Sequence, residues 1–224
     1  MEQFYQPLVE FINEQYALID EGKTTSTISV FDIDDTILFA KSQIRYKEPG
    51  KSWASVGTSD FADVRHKLDP DTEYDFDDFT DYKKISMGMA GGKPNIPILK
   101  MMDKAIADGH KIGIITARGN QKAIWSSLNN FLLYRDKNDK LIPLPPNQFS
   151  KKYVFAVGDD ATQKAFKDQV KGGSSDPSVI KAFILQKIFG DTMGFKSIIF
   201  FDDDKGNIKS VTDLKDPRIK AVKV

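Results

Sequence analysis

Apolar residues follow two rhythms along the chain. Phe4, Leu8, Phe11, Ile12, Tyr16 and Ile19 recur at helical spacing, which predicts an amphipathic helix packed on the core over residues 1–20, ended by Gly22. Four short apolar runs behave differently: Thr27–Phe31, Lys111–Ile115, Tyr153–Val157 and Ser197–Phe201. They are nearly continuous rather than alternating, which predicts strands buried on both faces. Helical patterns lie between them. Ile98, Met101, Met102, Ala105 and Ile106 make one stripe, entered at Pro94 and Pro97 and ended by Gly109. A second helix over Gln121–Tyr134 carries Trp125 and Phe131 toward the core. A third opens with Asp176 as N-cap and Pro177 at its first position and runs to about Phe189 and Gly190. Asp136–Ser150 reads as a Pro-rich loop or hairpin, and residues 172–175 (Gly-Gly-Ser-Ser) as a linker.

Buried strands that alternate with helices predict an α/β fold: a Rossmann-like parallel sheet with helices on both faces. Ligands bind such sheets at the carboxyl ends of the strands. Polar groups at three strand ends are therefore expected to converge: Asp32 with Asp34, Thr116, and Asp202 with Asp203. Residues 40–92 break the pattern. They are polar, aromatic and turn-rich, with Pro49-Gly50, Gly57 and Asp69-Pro70, and close on Gly88-Met89-Ala90-Gly91-Gly92. The expected organisation is a catalytic core of residues 1–39 and 93–224, with 40–92 as a small cap insert over the site. Within the insert, Asp69, Asp71, Glu73, Asp75, Asp77, Asp78 and Asp81 lack the Gly and Glu positions of a Ca²⁺ loop, so they are expected to form a solvated acidic face.

Composition narrows the chemistry. Lys+Arg and Asp+Glu both number 32, so no basic excess supports non-specific nucleic-acid binding. With Cys 0 and His 2, thiolate zinc sites and multi-histidine centres are excluded, and a metal would be held by oxygen: Mg²⁺, Mn²⁺ or Ca²⁺. His66 and His110 are expected at the surface. Glu2, Glu10 and Glu14 interrupt the N-terminal stretch, and no apolar run is long enough to span a bilayer. A cytoplasmic location without membrane association is the resulting expectation.

The densest chemistry lies in Asp32-Ile33-Asp34-Asp35-Thr36. Residues two apart on an extended chain face the same side, so Asp32 and Asp34 can share one small space. Two close carboxylates drive one toward protonation or demand a cation. With Mg²⁺ present, Asp32 stays ionised for attack on phosphorus, and Asp34 can give a proton to the leaving oxygen and take one from water. Thr36 adds a hydroxyl and local turn chemistry.

These residues resemble the haloacid dehalogenase superfamily. Asp32-Ile33-Asp34-Asp35-Thr36 after a strand matches its first motif, D-x-D-x-T. Ile114-Ile115-Thr116-Ala117-Arg118 looks like the second, Lys181 fits the third, and Phe200-Phe201-Asp202-Asp203 looks like the fourth. All four occur in order. The resemblance implies Asp32 as nucleophile forming an aspartyl-phosphate, and Asp34 as general acid and base whose carbonyl also touches Mg²⁺. It implies Thr116 on a phosphate oxygen and Lys181 balancing charge. It further implies Asp202 on Mg²⁺ with Asp32, and Asp203 supporting the metal through water. Lys187 and Lys164 compete with Lys181, which is preferred because it lies nearer its helix start. Gly158-Asp159-Asp160 mimics the fourth motif but reads as a surface turn. Asp204 is the weakest ligand of its trio, and Asn207 either shapes that loop or serves a turn. Arg45, Lys47, Lys51, Arg65 and Lys67 are the insert cations available to an anionic substrate.

The expected activity is Mg²⁺-dependent hydrolysis of small phosphate monoesters. A loose similarity of Asp176–Lys187 and Phe200–Asp203 to the phosphatase half of polynucleotide kinase-phosphatases implies a rival, 3′-phosphate removal from nucleic-acid ends. Two other classes are a non-catalytic phosphate-binding module on the same fold and a receiver-type signalling domain. In the latter the phosphorylated Asp would stand alone at a later strand end.

Overall fold

The computed structural model describes residues 26–131, 133–135, 141–143, 149–167, 169–170 and 173–224. The expected helix over 1–20 lies outside them, as do residues 136–140, 144–148 and 172 of the expected loop and linker. The fold is α/β, with a five-stranded parallel sheet flanked by helices. Its strands are β1 (Thr27–Phe31), β2 (Lys111–Thr116), β3 (Val154–Ala156), β4 (Ser197–Asp202) and β5 (Ile219–Lys223), in the spatial order β3-β2-β1-β4-β5. All four neighbouring pairs are parallel.

The strand sequences explain their position. Side chains alternate across the sheet, and both faces of β1, β2 and β4 are apolar. On one face Phe31, Ile112, Ile114, Val154, Ala156 and Phe201 meet helices α1 (Tyr82–Ala90), α2 (Ile96–Ala107) and α3 (Gln121–Phe131) through Ile85, Leu99, Met102, Ile124 and Leu128. Phe31 and Phe201 stack across the β1–β4 pair at 4.6 Å. On the other face Ile28, Val30, Ile115, Phe155, Ile198 and Phe200 meet α4 (Asp160–Lys167), α5 (Pro177–Phe183) and α6 (Lys205–Thr212). Helix α5 continues as a π-helical stretch, Ile184–Thr192, whose Ile184, Leu185, Ile188 and Phe189 are buried. Connections from β1 toward β3 thus cover one face, and those from β3 toward β5 cover the other. The chain reverses direction across the sheet between β1 and β4, the point at which open parallel sheets form a crevice above the strand ends.

Several expectations shift. β2 and β4 each run one residue further than the apolar pattern, so Thr116 and Asp202 are themselves strand residues. β3 is shorter, because Tyr153 belongs to a 3₁₀ turn. Pro97 sits in the first turn of α2, but Pro94 instead pairs with Leu38 in a two-residue antiparallel ladder, Leu38–Phe39 against Lys93–Pro94. Tyr134 leaves the helix for a short hairpin, Leu133–Arg135 with Leu141–Pro143. Trp125 is half-buried and its indole N–H donates to the Phe149 carbonyl. β5, α4 and α6 go beyond the sequence expectation. His66 is exposed as expected, but His110 is half-buried, with Nδ1 3.0 Å from Ser29 Oγ on β1. Among the described residues no helix is long and apolar enough to cross a membrane.

Residues 40–92 enter and leave at the Leu38–Phe39/Lys93–Pro94 ladder. They form an antiparallel sheet of Ala54–Val56, Ile44–Lys47 and Glu73–Asp75, helices Thr58–Arg65 and Asp77–Thr80, and α1. Phe61, Tyr74 and Phe76 cluster edge to face and stacked. The acidic run is mainly exposed, and Asp69, Asp75 and Asp81 accept hydrogen bonds from nearby backbone N–H groups at turns and at the start of α1. Arg45 is tied to Asp75 and lies over Trp53, and Lys51 is tied to Glu48, so these two cations are engaged within the insert.

Gly113 in β2 reports how tightly the second face is packed. A Cβ there would lie 3.1 Å from Ile28, 3.2 Å from Val30 and 3.4 Å from the Phe189 ring. Gly113→Val adds two further methyl groups into that contact. It is expected to lower stability by about 1–3 kcal/mol, seen as a lower urea midpoint at unchanged denaturant dependence.

Candidate active site

The crevice above β1 and β4 gathers the expected residues. Asp32 follows β1, and its N–H donates to the Phe201 carbonyl at 3.0 Å, which carries the sheet ladder one step past the strand. That bond sets Asp32 beside Asp202, the last residue of β4. Lys181 reaches between them from α5. Its Nζ donates to Asp32 Oδ1 at 2.9 Å and to Asp202 Oδ2 at 2.8 Å. All three side chains are buried. Asp176 caps α5 by accepting from Ser178 N–H, and Pro177 occupies the first turn, so the helix start that presents Lys181 is fixed by sequence. Lys187 pairs with Asp191 on the same helix, and Lys164 is exposed on α4. Of the three lysines, Lys181 is the one bonded to Asp32.

Asp202 is held on several sides. Asn207 Nδ2 donates to both its oxygens, at 3.1 and 3.0 Å, and the Asp204 N–H donates to Oδ1 at 2.8 Å. Asn207 therefore shapes the site. Asp204 turns away to cap α6 through Asn207 N–H. Asp203 Oδ1 accepts from Thr36 Oγ1 at 3.0 Å, while the same Thr36 oxygen accepts from Asp203 N–H at 3.1 Å. The hydroxyl thereby joins the first acidic loop to the second. Asp159 serves the helices instead. Its Oδ2 accepts from Gln121 N–H and its Oδ1 from Ala161 and Thr162 N–H, so it caps both α3 and α4. It is half-buried rather than part of a plain surface turn.

Thr116 is fully buried at the end of β2, and its Oγ1 accepts from Arg118 N–H at 3.3 Å. Arg118 is the site residue that sequence reasoning left without a role. It is fully buried, and its fork clasps Asp34, with Nε to Oδ2 at 2.8 Å and Nη2 to Oδ1 at 2.6 Å. The signal was present: an arginine two residues past the strand end, in the motif that supplies Thr116. Asp35, next to Asp34, adopts φ 56°, a left-handed conformation that Asp tolerates better than most residues, and accepts from Thr58 Oγ1 of the insert at 2.7 Å.

Electrostatics follow from the crowding. Burial pushes the Asp32 carboxyl well above the ordinary range; Lys181 opposes this, and Asp202 and Asp34 reinforce it. Burial works to lower Lys181, but Asp32 and Asp202 outweigh it and hold the ammonium above its usual value. Burial, with Asp202 next, raises Asp203 to about 6. Four carboxylates, Asp32, Asp34, Asp202 and Asp203, are gathered against two bonded cations, Lys181 and Arg118. Oxygens of Asp32, Asp202 and Asp203 lie within 4.8 Å of one another, a hard-oxygen set that suits Mg²⁺. The Asp34 carboxylate is clasped by Arg118 and does not belong to that trio.

Comparisons of the chain with protein-family models, with curated proteins and with solved structures find no match.

The raised Asp203 gives a pH test on metal-free protein. Its folded value of about 6 exceeds the ordinary carboxyl value of 3.8, so the folded chain holds a proton that the unfolded chain releases first. This contribution is present at low pH and is lost as pH rises through about 6. Urea unfolding in the presence of chelator is expected to show that slope, and Asp203→Asn is expected to lessen it, with the raised Asp32 carboxyl contributing to what remains. An unchanged slope in the variant would remove Asp203 as its source.

Proposed function

We propose that the chain is a Mg²⁺-dependent phosphohydrolase of small phosphate monoesters, built on a core like that of the haloacid dehalogenase superfamily. The observation that carries this reading is the Lys181 bridge between Asp32 and Asp202, with Asp203 beside it. Two acids at adjacent parallel strand ends, one buried lysine and a third acid form a site for anionic oxygen and a cation together. Phosphoryl transfer needs that combination, because its transition state spreads negative charge over oxygens that must be held in line.

In the proposed reaction Asp32 is the nucleophile. Lys181 holds Oδ1, and Oδ2 forms the new bond to phosphorus as the ester P–O bond breaks. Asp34, which must first take a proton from solvent on an oxygen lone pair that Arg118 leaves open, gives it to the departing oxygen. Water then attacks the aspartyl-phosphate, Asp34 takes the proton from that water, and the Asp32–phosphorus bond breaks to release phosphate. Thr116 and Lys181 bind the phosphoryl oxygens. Asp32, Asp202 and Asp203, with the Asp34 carbonyl, would hold Mg²⁺, which supplies charge compensation at the phosphoryl oxygens. A module that only binds phosphate gains nothing from buried carboxylates facing the anion, which favours catalysis over the non-catalytic reading.

Residues 40–92 face the site as a cap-like element. Their exposed acids, Asp69, Asp71, Glu73, Asp77 and Asp81, disfavour a polyanion and favour a small ester over a nucleic-acid end. Asp32→Asn is expected to abolish Mg²⁺-dependent phosphate release from p-nitrophenyl phosphate while the fold is retained. A wild-type chain that releases no phosphate across a broad ester panel with Mg²⁺ would overturn the reading. Faster turnover of 3′-phosphorylated oligonucleotides than of p-nitrophenyl phosphate would instead replace the substrate class.

A further inference from the structure

Arg118 is the largest fully buried side chain among the described residues, and its charge lies in the site between the core and the insert. Its backbone is fixed at both ends: the N–H donates to Thr116 Oγ1, and the carbonyl accepts from Gly158 N–H at 3.1 Å. Gly158 permits this crossing, since a Cβ there would stand 2.4 Å from the Ala117 carbonyl. The guanidinium then makes two sets of contacts. Toward the core it clasps both oxygens of Asp34. Toward the insert, Nη2 donates to Ser42 Oγ at 2.9 Å and Nη1 to the Asp78 carbonyl at 3.4 Å. The Phe79 ring covers it with the centroid 4.7 Å from Cζ, and the Phe79 carbonyl accepts from Gly119 N–H at 2.7 Å.

A fully buried guanidinium must keep its partners, because an unpaired buried charge is costly. Its planar fork also fixes the plane of the carboxylate it binds, which a lysine cannot do. The insert supplies three of the groups that hold the fork in place. It also touches the acidic loop directly, through Thr58 Oγ1 on Asp35. Any shift of residues 40–92 that withdraws Ser42 or Phe79 therefore changes where the fork, and Asp34 with it, points.

We propose that Arg118 is a positioning residue that makes the orientation of Asp34 toward the leaving oxygen depend on the seating of the insert. This rests on the phosphohydrolase reading. It adds that the insert acts on the proton-transfer step through a side chain that need not touch substrate. Ser42 and Phe79 belong to the same device.

The test uses two esters on the full-length chain with Mg²⁺. Dinitrophenyl phosphate has a leaving group that departs without a proton, whereas a simple alkyl phosphate does not. Arg118→Lys keeps the charge and removes the fork; it is expected to lose about 10²-fold in kcat on the alkyl ester and less than about threefold on the aryl ester, the selectivity of a misplaced general acid. Ser42→Ala and Phe79→Leu keep both members of the Arg118–Asp34 pair but remove a contact that aims the fork, and are expected to show the same selectivity at smaller size, with KM unchanged. Equal losses on both esters, or no loss on either in the Ser42 and Phe79 variants, would overturn the proposal. A wild-type chain inactive on both esters would overturn the phosphohydrolase reading itself, a result distinct from a loss of selectivity in the variants.

Discussion

The site depends on negative charge gathered where water is scarce. Burying one carboxylate beside another is unfavourable unless a cation answers it, and the removal of one partner from a buried pair typically costs several kcal/mol. Asp32 and Asp202 stand side by side because β1 and β4 are neighbours, and Lys181 is the cation that makes that neighbourhood tolerable. Much else follows from this constraint. α5 must start where Asp176 and Pro177 start it, so that Lys181 points into the crevice. Asn207 must sit in the first turn of α6 to satisfy both oxygens of Asp202.

The sheet supplies the place and the loops supply the chemistry. Strand order puts the reversal of chain direction between β1 and β4, where two connections diverge onto opposite faces and leave a gap. The loop after β1 carries Asp34, Asp35 and Thr36 into this gap, and each is tied elsewhere: to Arg118, to Thr58 of the insert and to Asp203. The loop is thus held by the core, by the insert and by the opposite strand end.

Legibility from sequence followed physical range. Buried strands and their polar ends were readable because a parallel sheet covered on both faces demands continuous apolar runs. Lys181 was separable from Lys187 because helix direction relative to strands is constrained. Arg118 was not assigned, since its meaning lies in Asp34, 84 residues earlier, and an arginine after a strand is ordinarily a surface residue. β5 was missed because its Lys220 and Lys223 break the apolar run, as suits an edge strand. The small antiparallel sheet of the insert escaped notice because strands of three or four residues carry too little periodicity to declare themselves. Asn207 was ambiguous between turn and site because the two roles differ only in what lies across the crevice.

The Lys181 bridge also has a consequence in time. Lys181 lies 149 residues after Asp32, and Asp202 a further 21 beyond Lys181. Chains emerge from the ribosome amino end first, so β1 and its acidic loop are made long before the cation that neutralises them. Until β4 arrives, the crevice side of β1 has no strand beside it, and Asp32 must stay hydrated. The same carboxylates that define the finished site thus keep the unfinished one open to water, and the central strand gains its second neighbour only when β4 is made.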